Sequence, residues 1–139
     1  MNISENAPQK ARAYLDKGFN CAEATLLALI EDNAPIDVIK VSTPFGGGMG
    51  ATRGVCGMVT GGSMAIGYYF GRTNPDDLDT KKQNYRLTRQ FLDYIRTNYK
   101  IDFRDIVITD DFKGHTEVCL NMLEDVVSFL RNLILTNKK

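Results

Sequence analysis

Apolar positions recur at helical spacing along most of the chain, and cap residues divide this pattern into segments. The first predicted helix covers about residues 7–17 and ends at Gly18, which can adopt the left-handed conformation that ends helices. A second helix follows at once, because Asn20 and Glu23 have the spacing of a capping box. Its residues up to Asp32 are apolar around almost the whole circumference. This helix is therefore predicted to be central and buried.

A glycine-rich loop divides the middle of the chain. A short helix is predicted over residues 35–42, and four glycines within residues 46–50 then break regular structure. The next apolar segment, about residues 55–70, predicts another helix. Glycines occur in and after this helix in two pairs, each one turn apart: Gly57 and Gly61, then Gly67 and Gly71. A glycine costs about 1 kcal/mol relative to alanine inside a helix, so the pairs predict close approach to a neighbouring helix or ligand.

Two longer helices complete the pattern. Residues 74–77 cap an amphipathic helix that continues to about Tyr99, and a last helix covers about residues 113–135. The predicted inner face of the first of these is Leu78, Tyr85, Phe91, Leu92 and Ile95. The predicted core face of the last is Val118, Met122, Val126, Phe129 and Leu133. The sequence thus predicts an all-α fold, a compact bundle of about five helices with a glycine-rich loop, in a single domain over residues 1–139.

Charge and hydropathy narrow the range of partners. Seventeen basic residues balance seventeen acidic ones, which argues against nucleic acid, anionic membranes and polyanionic substrates. No apolar run reaches the roughly 20 residues of a membrane span, and the N-terminus has no signal-peptide pattern. We therefore expect a cytoplasmic protein without a membrane span. Because cytosolic thiols are kept reduced, the three cysteines are expected to be core thiols, metal ligands or redox groups rather than a structural disulfide framework.

The positions of the cysteines carry the candidate chemistry. Cys21 is predicted at the first position of its helix, where backbone N–H groups and the helix dipole favour a thiolate. Cys56 also lies at a predicted helix start, with Arg53 three residues upstream as a counter-charge. Cys119 lies within the last helix, one turn after His115, the only histidine of the chain. The imidazole could there act as a base or as a co-ligand.

Each feature also has an ordinary structural explanation. Cysteine is among the most buried residue types, glycines one turn apart usually serve helix packing, and a lone histidine near a helix start is usually solvated. The chain has no C-x-x-C or C-x-x-C-H motif, no phosphate-binding loop and no Ser-His-Asp arrangement. The joint placement of the cysteines is what favours a functional site.

Three segments and the last helix together resemble a known family. The segments are FNCAEA at residues 19–24, FGGGMG at 45–50 and CGMVTG at 56–61, and the last helix contains Cys119. In order and spacing they resemble the C_GCAxxG_C_C family, whose members are described as redox-active because of their cysteines and are often encoded near transporter genes. The resemblance covers about residues 14–129. It implies redox activity but no defined substrate.

The resemblance also assigns individual residues. Cys21, Cys56 and Cys119 match family cysteines, and the two glycines of the family's Cys-Gly-Ala-x-x-Gly signature match Gly57 and Gly61. This chain departs from the family at Met58, where the signature has alanine, and at Phe103, where a further cysteine is expected. A four-cysteine site cannot form. What remains is a disulfide pair with a third thiol, or a Cys₃His site that uses His115. The family is also similar to split-Soret cytochromes, but without C-x-x-C-H no covalent haem is expected.

Three hypotheses follow, in this order. The first is thiol redox chemistry, catalysed by Cys21, Cys56 and Cys119, with Gly57, Gly61 and Arg53 at a cofactor site and a redox partner of unknown identity. The second is a binding module in which the three cysteines and His115 hold zinc or another soft-ligand metal. The third is a non-catalytic helical accessory protein associated with a transporter, whose cysteines are core residues. All three leave the cofactor open, and a homodimer is a candidate assembly.

Overall fold

The computed structural model describes residues 3–30, 34–99 and 117–138, and this part of the chain is all-α. It contains six α-helices, where the sequence predicted about five, and one short 3₁₀ helix at Thr43–Phe45. The α-helices are α1 (Ala7–Asp16), α2 (Cys21–Leu29), α3 (Ile36–Lys40), α4 (Gly57–Phe70), α5 (Leu78–Asn98) and α6 (Glu117–Asn137). The predicted fold class is confirmed. None of the described helices is both long enough and apolar enough to cross a membrane.

Local signals place most of the helix ends. Gly18 has a φ of 107° and follows α1, as predicted. The capping box of α2 is present, since Asn20 and Glu23 each bond the backbone N–H of the other. Asp77 caps α5 by accepting a hydrogen bond from the backbone N–H of Thr80 at 3.2 Å. These caps satisfy backbone donors that a helix start leaves without intrahelical partners.

The two most apolar helices lie at the centre of the bundle. Helix α2 contacts α1, α4 and α6, and α4 contacts α2, α5 and α6. Helix α6 also packs along α1 and α5. The buried side chains of the described residues form one hydrophobic core, whose largest members include Phe91, Leu26, Leu29, Met58, Ile66 and Leu130. The prediction that α2 is buried and central is confirmed.

The predicted core faces of α5 and α6 are partly wrong. Leu78 and Tyr85 are 56% and 53% exposed, because the first turns of α5 lie beyond the core. The buried stripe of α5 begins instead at Leu87 and continues at Phe91 and Ile95. In α6 the stripe contains Cys119, Met122, Leu123, Val126, Val127, Leu130 and Ile134. Val118 lies to one side of this stripe and is 64% exposed.

Polar contacts hold α6 against its neighbours. Arg12 of α1 lies 3.0 Å from Glu124 and 3.1 Å from Glu117. From α5 and the residue after it, the Tyr94 and Tyr99 hydroxyls donate hydrogen bonds to Asp125. Exposed ion pairs contribute little to stability, so these contacts chiefly fix the register of α6 along the bundle. That register determines where Cys119 lies.

Candidate functional site

The structure brings the three cysteines together from three different helices. Cys21 is the first residue of α2, Cys56 is the N-cap residue of α4, and Cys119 lies in the first turn of α6. Their side chains are thiols, with exposures of 4%, 1% and 2%. Burial is the main cause of the raised pKa of Cys21, and negative charge on Cys56 or Cys119 raises this pKa further. All three thiols therefore belong to one buried region of the core.

Two glycines of α4 explain this convergence. A Cβ atom at Gly61 would lie 2.5 Å from the Ala22 carbonyl oxygen, and one at Gly57 would lie 3.2 Å from Cys21 Cβ. The first of these distances, and the 2.8 Å from the Gly57 Cβ to the Ala22 backbone nitrogen, are too short for a side chain, so glycine alone permits this approach of α4 to the start of α2. Cys56 immediately precedes Gly57 and is thereby carried to Cys21. The predicted close packing is confirmed for this pair of glycines.

The second pair of glycines behaves differently. A Cβ atom at Gly67 would meet no atom within 4 Å, so no close helix contact requires glycine there. Gly71 is the C-cap residue of α4, and the atoms nearest to its Cβ would be the carbonyl group and Cα of Gly67, in the same helix. The prediction of close approach to a neighbouring element is wrong for these two positions.

The capping box of α2 also fastens the neighbouring loop. The Asn20 side-chain amide donates to the Thr43 carbonyl at 3.1 Å, and the Thr43 hydroxyl donates to the Glu23 carboxylate at 2.7 Å. These bonds attach the 3₁₀ helix to the residues that begin α2, directly beside Cys21. The sequence indicated the capping box but gave no sign of this second role.

Between the 3₁₀ helix and α4 the backbone makes a left-handed run. Three glycines take part, and so do Met49, Ala51 and Arg53, with φ values of 70°, 61° and 62°. Each non-glycine residue in this conformation costs roughly 1–2 kcal/mol. Inside the loop, the Gly54 N–H donates to the Gly48 carbonyl at 2.8 Å. The sequence predicted a loop here but not its handedness, and the role of Arg53 as a counter-charge to Cys56 stays a prediction.

Burial dominates the electrostatics of the cluster. Desolvation raises the pKa of Cys21 well above its usual range, and it raises the pKa of Cys56 to about 11. Hydrogen bonds from the backbone N–H groups of Met58 and Val59 act the other way on Cys56, as a helix start should, but they are outweighed. The expectation of a thiolate at neutral pH is therefore wrong for Cys21 and Cys56. Both are protonated in the resting protein.

The hypothesis of a Cys₃His metal site involves residues that the structure describes only in part. Within residues 3–30, 34–99 and 117–138, no group of three or more His, Cys, Asp or Glu side chains could hold a metal ion. His115, the fourth ligand of the proposed Cys₃His site, and Phe103 both lie outside the described residues. The Cys₃His site therefore stays a prediction.

Comparison with known proteins gives one result. The model of the family described as "Putative redox-active protein (C_GCAxxG_C_C)" matches residues 19–133, which include all three cysteines and both glycines that bring α4 against α2. No curated protein and no solved structure matches the chain. Since the match covers well over half of the 139 residues, the chain belongs to the C_GCAxxG_C_C family of redox-active proteins.

Proposed function

We propose that this protein is a thiol–disulfide redox protein in which Cys21 and Cys56 form a reversible disulfide and Cys119 is the third thiol. The observation that carries the proposal is the close packing of α4 on α2, which places two buried thiols, Cys21 and Cys56, at one helix contact. Two neighbouring cysteine thiols can be oxidised to one disulfide, with the loss of two electrons and two protons. The family description supports redox activity in general.

Cys56 is the better candidate for the attacking sulfur. Its pKa of about 11 is lower than that of Cys21, and the N–H groups of Met58 and Val59 stabilise its thiolate. The residues before Cys56 belong to the loop rather than to a helix. Local opening there exposes the sulfur with the least loss of packing. Cys21 lies within a capped helix and is better placed to resolve the intermediate.

The proposed substrate is a disulfide, either a small molecule or a protein. The Cys56 thiolate attacks one sulfur of the substrate and displaces the other as a thiolate, which takes up a proton. The Cys21 thiolate then attacks Cys56 in the mixed disulfide, forms the Cys21–Cys56 bond and releases the second substrate thiol. Two electrons pass from the cysteine pair to the substrate, and the two thiol protons end on the two products.

The test exposes the reduced protein to oxidised glutathione between neutral and alkaline pH. We expect two of the three thiols to be lost, a Cys21–Cys56 disulfide in the peptide map, and full recovery with dithiothreitol. The reaction should speed up as pH rises, since the thiolate is the nucleophile. Cys21→Ser should trap glutathione on Cys56, whereas Cys56→Ser should form neither the adduct nor the bond.

Cys119→Ser is the matched control, and it should still lose two thiols. Retention of all three thiols in folded protein, under conditions that oxidise the urea-unfolded chain, would remove support for redox chemistry. Metal analysis of freshly purified protein tests the alternative function, a metal-binding module. A stoichiometric soft metal would favour ligation by Cys21, Cys56, Cys119 and His115 over disulfide exchange.

A further inference from the structure

An apolar pocket lies beside the cysteine cluster, between the 3₁₀ helix, α4 and α5. Its volume is about 530 Å³, within the range of small-molecule sites in proteins. The walls are mostly hydrocarbon, thioether and aromatic surface, from Phe45 of the 3₁₀ helix, Val59 and Met64 of α4, and Leu92 of α5. One of the elements that form it is α4, whose N-cap residue is Cys56.

Several residues that line the pocket follow Cys56 closely along α4. Val59, Thr60 and Ser63 line it and follow Cys56 by three, four and seven residues, which is the spacing of one helix face. The Thr60 N–H donates to the Cys56 carbonyl at 3.2 Å. Val55, which directly precedes Cys56, also lines the pocket, so a molecule in the pocket would lie within about one helical turn of Cys56.

The polar groups at the pocket indicate the chemistry of its occupant. Among the described residues that line it, Arg96 is the only charged one. Its guanidinium has a geometry suited to carboxylates, sulfonates and phosphates. Ser63 and Thr60 add hydroxyl groups. Apolar walls with a single cation suit a molecule that is mostly apolar and carries one anionic group.

We propose that this pocket is a binding site for a small amphipathic anion, with its apolar body between α4 and α5 and its anionic group on Arg96. The site concerns binding alone, so it stands or falls independently of disulfide exchange. The volume of about 530 Å³ is that of a small-molecule site.

Two fluorescent probes of similar shape distinguish binding to the apolar walls from binding to Arg96. Anilinonaphthalene sulfonate carries one negative charge, and phenylnaphthylamine is neutral. We expect each to bind the folded wild-type protein saturably at one site per chain. Arg96→Gln should weaken the anionic probe by about tenfold, the factor that one charge-assisted hydrogen bond supplies, and leave the neutral probe within about twofold.

Matched variants keep the result interpretable. Arg89→Gln removes a positive charge from an exposed position of α5 outside the pocket and should change neither probe. Ser63→Phe should fill the pocket and abolish both, whereas Ser128→Phe, at an exposed position of α6, should not. Absence of saturable binding, or equal effects of Arg96→Gln and Arg89→Gln on the anionic probe, would overturn the proposal. Unfolding curves of each variant show whether it is folded.

Discussion

Burial, more than position at a helix start, sets the chemistry of the individual cysteines. The sequence correctly placed Cys21 and Cys56 at helix starts, because capping and glycine signals are local. It did not predict their protonation. Protonation depends on desolvation in the assembled core, to which helices remote in sequence contribute. The N–H groups at a helix start lower a thiol pKa below its usual value only where solvent or a counter-charge also stabilises the thiolate.

Raised thiol pKa values make folding stability fall with alkaline pH. The unfolded chain loses these protons near pH 8.5, whereas folded Cys56 keeps its proton to about pH 11 and Cys21 keeps its own still longer. Their contribution is therefore full below about pH 8.5 and is lost as pH rises towards the folded pKa values. Each thiol should lower the free energy of unfolding by roughly 1.4 kcal/mol per pH unit across this window.

Urea unfolding of the reduced protein at several pH values measures this slope. Cys56→Ser should show a shallower decline between pH 8.5 and 10 than wild type, because it removes a thiol whose pKa is raised by folding. Ser128→Cys adds an exposed thiol, whose pKa should be alike in both states, and should leave the slope unchanged. Equal slopes in wild type and Cys56→Ser would contradict the buried-thiol assignment.

Single elements differ in how much of their packing the sequence reveals. The two glycines of the CGMVTG segment indicated a close helix contact. Glycine destabilises a helix interior, so two glycines one turn apart are expected where close packing compensates for that loss. The same reasoning failed at Gly67, which meets open space. It also failed for the inner face of α5, because periodicity gives the direction of a face but not how far along the helix the core extends. Leu78 and Leu87 are both leucines of α5, yet only Leu87 is buried.

The contrast between Gly61 and Gly67 gives a test within one helix. Gly61→Ala places a methyl group 2.5 Å from a backbone oxygen of α2, so the two helices must separate. We expect a loss of about 1–3 kcal/mol, the usual cost of overpacking. Gly67→Ala meets no neighbour and should gain up to about 1 kcal/mol from helix propensity. Chemical denaturation of both variants measures the difference, and equal effects would show that the α2–α4 contact does not require glycine.

At the scale of the whole molecule, the sequence predicted the order of the helices and the close packing of α4 on another helix. It could do so because caps, glycines and apolar periodicity are repeated, local signals. It did not reveal the pocket at Arg96, since that cavity is formed by side chains from three elements whose angles no local pattern specifies. The sequence predicted the glycine-rich loop but not its left-handed backbone, because three of the residues in this conformation are not glycine.

The packing of α6 against α1, α2 and α4 has a consequence for the order of events during synthesis. The ribosome releases α6 after all the other described helices, so the nascent chain holds Cys21 and Cys56 without the helix that brings Cys119 over them. Both thiols should be open to oxidation until α6 leaves the exit tunnel. A chain truncated after residue 116 should alkylate at Cys21 and Cys56 far faster than the full chain, as measured by mass spectrometry. If it is equally protected, α1–α5 alone seal the cluster.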